Sequence, residues 1–246
     1  MSKGIGIVTY NRAKNLGAVI EGVLTTAPDA KVVVADDGSN DDTPLVCASY
    51  PEIIYIRGPN KGVAYNKNRA LFALQNCRYI SIIEDDLVAI EPGWFEIYQD
   101  VAEYAGIHHF CRVQDKEVAE TILTFSADLK KDKGYTPLYG ESPRGDFTFI
   151  TSAVLNKVGA LNFKFLGIGY AHGEWSNRIA NAGLIPHPRK WIDIKEARDK
   201  FVQRGDTEGG RWQLPKADLK QQLKVNRAIQ LDLKTSRYVY EELDLR

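Results

Sequence analysis

The sequence predicts an α/β protein with a mostly parallel central sheet flanked by helices, a less regular second half and a C-terminal helix. Two observations carry this. Through the first hundred residues, short unbroken runs of β-branched residues alternate with helical stretches, the signature of a parallel sheet covered on both faces. From about residue 107 the alternation stops, and strand-like runs follow one another without helices between them. With 246 residues, 44% of them hydrophobic, the chain can build a full core and is not disordered as a whole.

The elements follow in order. "IGIVTY" (5–10) reads as the first strand, and Leu16, Val19, Ile20 and Val23 then recur on one helical face. "KVVVADDGS" (31–39) is a second strand that runs into turn chemistry, "EIIYIRG" (52–58) a third, and "GVAYNKNRALFALQN" (62–76) a helix. "YISIIEDDL" (79–87) is the fourth strand. Pro92 suits the first turn of a helix that reaches about Tyr104. In the second half, "HHFCRV" and "ETILTFSADL" read as strands, and Gly, Pro and Tyr punctuate 134–145. "TSAVLNKVGAL" (151–161) and "HGEWSNRIANAG" (172–183) read as helices, 202–215 as a glycine-rich loop, and 216–234 as a final polar helix.

Charge and composition narrow the partners. Basic and acidic residues balance at 32 each, which excludes a chain coated overall for nucleic acid or membrane. Cys47, Cys77 and Cys111 lack metal-site spacing and read as buried thiols in a reduced compartment. No apolar run reaches membrane-spanning length and no leader pattern opens the chain, so the expectation is a soluble, cytoplasmic protein without a transmembrane segment.

Four polar clusters stand at strand ends, where open α/β sheets bind ligands. They are Thr9–Arg12, "DDGSNDDT" (36–43), "NKGVAYNKNRAL" (60–71) and Glu84-Asp85-Asp86. Each has a plain alternative. "DDGSNDDT" suits a turn and helix N-cap, Gly62 suits close packing, and Asn66, Asn68 and Arg69 suit a solvated helix face. Glu84-Asp85-Asp86 suits either a strand surfacing into water or a hard divalent cation held by carboxylates. In a strand, Glu84 and Asp86 point to the same side, as a shared ligand would require.

In order and spacing, "IGIVTYNR", "VVVADDGSNDDT", "NKGVAYNKNRAL", "YISIIEDDL" and "GIGYAHGEWSNRIANAG" resemble family 2 glycosyltransferases with the GT-A (nucleotide-diphospho-sugar transferase) fold. The resemblance spans about residues 4–195. It implies a metal-dependent, inverting transfer of a sugar from a nucleotide diphospho-sugar, a UDP-sugar, to an acceptor hydroxyl. Thr9, Tyr10, Arg12, Asp36 and Asp37 would then hold the nucleoside, with Lys61, Gly62, Asn66 and Arg69 flanking the nucleotide. The Asp-x-Asp signature falls on Glu84-Asp85-Asp86. Asp86 would bind Mn2+ or Mg2+ on the diphosphate, with Glu84 and Asp85 serving ribose or metal-bound water. Glu174 would be the general base, followed by Arg178.

On this reading residues 1–200 form the transferase domain, about 1–106 the donor nucleotide half and about 107–200 the acceptor half. Residues 201–246 form an extension packed on the same domain. Two positions depart from the family pattern: Trp175 stands where a second acidic residue is expected, and Glu84 opens the metal motif in place of Asp. Trp175 suits either acceptor stacking or the core, and Asp146 lies in the acceptor half. A third metal ligand would come from His187 or Asp193, and His172 precedes the base. Lys216, Lys220 and Lys224, with Arg227 nearby, form a stripe that suits a solvated face or a phosphate-bearing acceptor. Arg204 and Arg211 lie in the glycine-rich loop, a possible lid over the donor. The acceptor stays open among glycan, lipid-linked sugar, protein and modified nucleic acid. The rival classes are a nucleotidyltransferase, which would show a glycine-rich basic loop after the first strand, and a non-catalytic sugar-nucleotide or glycan binder.

Overall fold

The computed structural model describes residues 2–113, 124–140, 142–186, 191–204 and 216–233. The chain opens with β1 (Lys3–Thr9), α1 (Ala13–Thr26), β2 (Lys31–Asp36), α2 (Thr43–Ala48), β3 (Ile54–Arg57), α3 (Val63–Leu74) and β4 (Tyr79–Glu84). Next come β5 (Leu87–Ala89), α4 (Trp94–Ala105), β6 (His109–Val113), α5 (Thr124–Lys133), β7 (Pro137–Gly140) and β8 (Pro143–Thr151). It closes with α6 (Ser152–Lys157), α7 (Ala171–Asn181), β9 (Trp191–Ile194), α8 (Lys195–Arg198), β10 (Phe201–Gln203) and α9 (Lys216–Leu233).

The central sheet has six strands in the order β3-β2-β1-β4-β8-β6. β1 pairs in parallel with both β2 and β4, and β2 with β3. The registers set Thr9 beside Asp36 and Val8 beside Glu84, so three polar strand ends share one rim. Burial of Ile5, Ile7, Val33, Val34, Ile80 and Ile82 explains the unbroken apolar runs, because both faces are covered. On α1 the expected face, Leu16, Val19, Ile20 and Val23, is the buried one.

The second half differs from the sequence reading in three places. β8 is a nine-residue strand, antiparallel to both β4 and β6, where only punctuation and a helix start were expected. It earns its place by alternation: Phe147 and Phe149 pack against Trp94 and Tyr98 of α4, while Asp146 and Thr148 face the other way. The stretch "ETILTFSADL", expected as a strand, is helical from Thr124 in α5. The helix expected over 151–161 is the shorter α6.

The C-terminal segments pack onto this body. β10 adds antiparallel to β5. Asn226 of α9, buried to 2% exposure, donates to the carbonyls of Leu166, Ile168 and Gly169 at 2.8–3.2 Å. All three cysteines are free and buried. No described helix is long and apolar enough to cross a membrane.

Candidate active site

An open cavity of ≈ 1970 Å³ lies along the carboxyl ends of β1 and β4, closed on the far side by β8, the 166–170 loop and α7. It gathers Thr9, Tyr10, Arg12, Asp37, Lys61, Gly62, Asn66, Glu84, Asp85, Asp86, Asp146 and Glu174. Asp36, Arg69, Trp175 and Asp193 do not line it, and His187 and Arg211 lie outside the described residues.

The turns that follow β1 and β2 are tied to each other. Asp36 is fully buried. One of its oxygens accepts from the backbone and hydroxyl of Ser39 at 2.9 and 2.6 Å; the other accepts from Tyr55 at 2.6 Å and lies 3.6 Å from Arg57. Asn11 donates its N–H to Ser39 Oγ and accepts from the Asn40 N–H. Asp36 is therefore a brace for the turn, not a wall of the cavity. Asp37 accepts from the N–H groups of Lys61 and Gly62 at 3.1 and 2.7 Å and from Arg69 at 2.8 Å. Arg69 also donates to Pro59 O, so it stands behind the cavity and locks the turn into α3. Asn66 donates to the carbonyls of Thr9 and Ala35, closing β1 and β2 onto the same helix.

Gly62 has φ +96°, and a Cβ there would come within 2.2 Å of Gly167 N. The two glycines form a bridge, reinforced by Val63 N–H donating to Gly167 O at 2.7 Å. Gly62 thus brings the donor-side turn against the loop that leads into α7.

At the end of β4 the charges are less settled. Glu84 pairs with Lys67 at 3.0 Å, and this buried lysine also donates to Gly145 O of β8. Burial pushes Asp85 up to about 7; Glu84 and Asp86 push the same way, opposed by the Thr9 hydroxyl and Arg12. Burial also raises Asp86, with Glu84 and Asp146 adding to it and Gln203 and Arg12 opposing. Asp86 Oδ2 accepts a long bond from Gln203 at 3.4 Å, while its buried Oδ1 has no partner. Asp146 is similar: Arg112 and Arg144 donate to Oδ2 at 2.9 and 2.7 Å, and the buried Oδ1 has none. A lone carboxylate oxygen out of water is costly. Carboxylates raised by one another, with one such oxygen on Asp86, fit a hard divalent cation, so the residues present match that group.

On α7, Arg178 donates from Nε and Nη2, one guanidinium edge, to the two oxygens of Glu174 at 2.6 and 3.1 Å, and from Nη1 and Nη2 to the carbonyls of Val158 and Ala160. Glu174 lies on the cavity wall yet is only 5% exposed. Trp175 is 1% exposed and donates to Gly159 O, so it belongs to the core and does not stack on an acceptor. Asp193 accepts from Tyr98 at 2.6 Å and from the Ile194 N–H; it is buried in β9 away from Asp86 and cannot be that site's third ligand. On α9, Lys220 and Lys224 are exposed, while Gln222 and Gln230 reach the cavity. Arg204 donates its N–H to Asp86 O at 2.8 Å.

Sequence reasoning missed Lys67, Gln203 and Arg144. Lys67 sits inside a motif already singled out, and its position three residues before Ala70 and seven before Leu74, which meet Gly6 of β1, places it on the sheet-facing side of α3. Gln203 and Arg144 carried no local signal, since the pairing of β10 with β5 brings Gln203 to Asp86 and Arg144 meets Gln203 from β8.

A parallel sheet with a polar rim at its strand ends, extended by antiparallel strands and faced by an acid-bearing helix, is the GT-A architecture of nucleotide-sugar transferases. Residues 5–141, more than half of the chain, match the model of glycosyl transferase family 2, and the chain belongs to that family. No curated protein sequence matches it. Among solved structures it is similar to a mannosyltransferase from Pyrobaculum calidifontis in complex with GDP-Man and Mn2+ (TM-score 0.56, 16% identity, 76% of this chain and 54% of that one). It is also similar to glucosyl-3-phosphoglycerate synthase from Mycobacterium tuberculosis in complex with Mn2+, UDP and glucosyl-3-phosphoglycerate (0.56, 14%, 94% and 79%). A third is GalNAc-T7 with UDP, GalNAc and Mn2+ (0.65, 14%, 92% and 48%). The chain thus spans about half the length of the first and third. At these identities the likeness shows the fold.

Proposed function

We propose that the protein transfers a sugar from a nucleotide diphospho-sugar to an acceptor hydroxyl with a divalent cation at Asp86. The observation that carries this is Asp86 Oδ1, a buried carboxylate oxygen without a partner at the rim where the Thr9–Arg12 turn and Asp37 converge. Mn2+ accompanies the nucleotide in each of the three similar structures, and Mg2+ suits the same oxygen donors. Two of those structures hold UDP and one GDP-Man, which makes a UDP-sugar the first donor to test.

In this reading Thr9, Tyr10 and Asp37 hold the nucleoside, with Arg12 and Lys61 at the rim facing the phosphates. A cation bound at Asp86 supplies positive charge against the leaving diphosphate. Gln203 orients Asp86, and Lys67 keeps Glu84 from adding an unmatched charge beside it. Glu174 takes the acceptor proton, with attack from the opposite face inverting the anomeric centre. A carboxylate offers about four lone-pair sites; Arg178 uses one on each Glu174 oxygen, which leaves the carboxylate oriented and still able to accept.

The test is product release from UDP-, GDP- and dTDP-sugars with Mn2+, using water, glycans, lipid-linked sugars, protein and modified nucleic acid as acceptors. Metal-dependent stabilisation by one nucleotide, without hydrolysis or transfer to any of these, would make the protein a binder instead. Glu174→Gln is expected to lose transfer while keeping donor affinity within a few-fold; normal transfer by the folded variant rejects Glu174 as the base.

A further inference from the structure

At the cavity floor, on the α7 side of the sheet, lies a cluster that the transfer reaction does not use, with His172 bordering the cavity and His109 and Cys111 buried behind it. We propose that His109, Cys111 and His172 bind a zinc-class cation there, pinning the first turn of α7 to the edge strand β6.

The placement follows from strand geometry. His109 and Cys111 are two residues apart on β6 and share a face, and Cys111 stands opposite Thr148 of β8. α7 crosses that face and brings down His172. One ligating atom from each of the three side chains lies within 4.8 Å of the others. A tetrahedral zinc site, with Zn–S about 2.3 Å and Zn–N about 2.0–2.1 Å, separates its ligand atoms by roughly 3.3–3.7 Å. Side-chain rotations that close the cluster by about 1 Å suffice to seat the ion.

The surroundings suit a ligand better than a plain core. Trp175 and Trp191 wall the imidazoles at ring distances of 6.2–6.5 Å, while half-buried His172 borders the cavity and its solvent. Ser176 Oγ lies 3.2 and 3.4 Å from the Nε2 atoms of His109 and His172, and His109 Nδ1 finds nothing beyond its own backbone. Thr148 Oγ1 lies 3.5 Å from His172 Nδ1, so the unmet group is His109 Nδ1, and a buried ring nitrogen costs stability unless something satisfies it. Burial also holds both imidazoles neutral, His109 down to about 3, which is the form that ligates. Burial, with Asp193 and Asp146 adding to it, raises the Cys111 thiol, so the ion must displace its proton to bind, and each of these acids has one buried oxygen without a partner. Among the described residues, Lys67 is the lysine whose charge His172 feels, and Glu84 matches it at 3.0 Å.

The donor set selects the metal. A thiolate with two imidazoles favours zinc over Mn2+ and Mg2+, which prefer oxygen. As the metal–sulfur bond forms, the Cys111 thiol releases its proton to solvent, and a water or Ser176 Oγ completes the fourth position. This site is therefore chemically distinct from the carboxylates at Asp86.

The experiment uses the full chain stripped with a chelator and dialysed against Zn2+ or Co2+ in millimolar Mg2+. Elemental analysis is expected to find one retained zinc, and the Co2+ form to show a thiolate-to-cobalt band in the near ultraviolet. Cys111→Ser should abolish the band and weaken zinc binding about 100-fold or more, whereas Asp86→Asn should retain both. Circular dichroism in chelator verifies the folding of each variant. Wild-type protein that retains no zinc, or that takes up Co2+ without a thiolate band, overturns the proposal without recourse to any variant. So does a folded Cys111→Ser that binds zinc as the wild type does. Neither result depends on transferase activity.

Discussion

The two walls of the cavity treat their acids in opposite ways. On the β1–β2–α3 wall every carboxylate is spoken for: Asp36 by Ser39, Tyr55 and Arg57, Asp37 by two backbone N–H groups and Arg69. On the β4–β8 wall, Asp86 and Asp146 each keep a buried oxygen with no partner, and Asp193 behind them keeps another. The acids of the first wall are satisfied as folded. The second carries a polar deficit that a bound ligand would fill, and such deficits mark functional sites more reliably than the acids themselves.

The sharpest way to break this contrast is one edit made on both walls. Asp86→Asn is expected to lower metal-dependent turnover by about 100-fold or more and to leave the chelated protein as stable as before or slightly more so. Asp37→Asn should cost about 3–5 kcal/mol, because Arg69 loses its counter-ion and an amide nitrogen faces backbone donors. Thermal unfolding in chelator compares the two; equal losses would erase the distinction. Next in size is the pH response of Asp193, which burial pushes up to about 7 from an ordinary 3.8, with Tyr98 and the Ile194 N–H opposing. The folded chain holds a proton there that the unfolded chain releases, so this contribution is present at low pH and fades as pH rises through about 7. Unfolding curves from pH 4 to 8 should therefore be flatter for Asp193→Asn than for the wild type. The smallest effect is expected on α9: neutralising Lys220 and Lys224 should move stability by no more than about 0.5 kcal/mol. An unchanged salt dependence of acceptor binding would mark the stripe as a solvated face.

The parallel part of the fold was legible because four apolar strands with turn residues at their ends admit few other readings. Its rim was legible for the same reason: Thr9 ends β1, and Asp37, Lys61 and Asp86 come soon after the ends of β2, β3 and β4. What stayed hidden depends on tertiary pairing. β8 looks like a loop because Pro143, Arg144, Gly145 and Asp146 precede its aromatic alternation, and only β4 and β6 make a strand of it. "ETILTFSADL" carries β-branched residues at its start, but the described part forms a helix whose last turn is rich in lysine. Asp36 and Asp37 are neighbours of the same type, and no local signal says which one lines the cavity and which is buried behind it. Trp175 follows Glu174 by one residue on a helix, which turns it about 100° away, into the core.

The crossing of Gly62 and Gly167 sets a limit on redesign. A Cβ on Gly62 would meet the Gly167 backbone, and a Cβ on Gly167 would fall within 2.0 Å of Gln222 on α9. Three distant stretches of chain are thereby stacked, the two glycines with no room for a methyl group between their backbones and the Gln222 side chain laid over them. A loop grafted from a relative to alter sugar choice would have to reproduce that stack, or carry its C-terminal helix along with it.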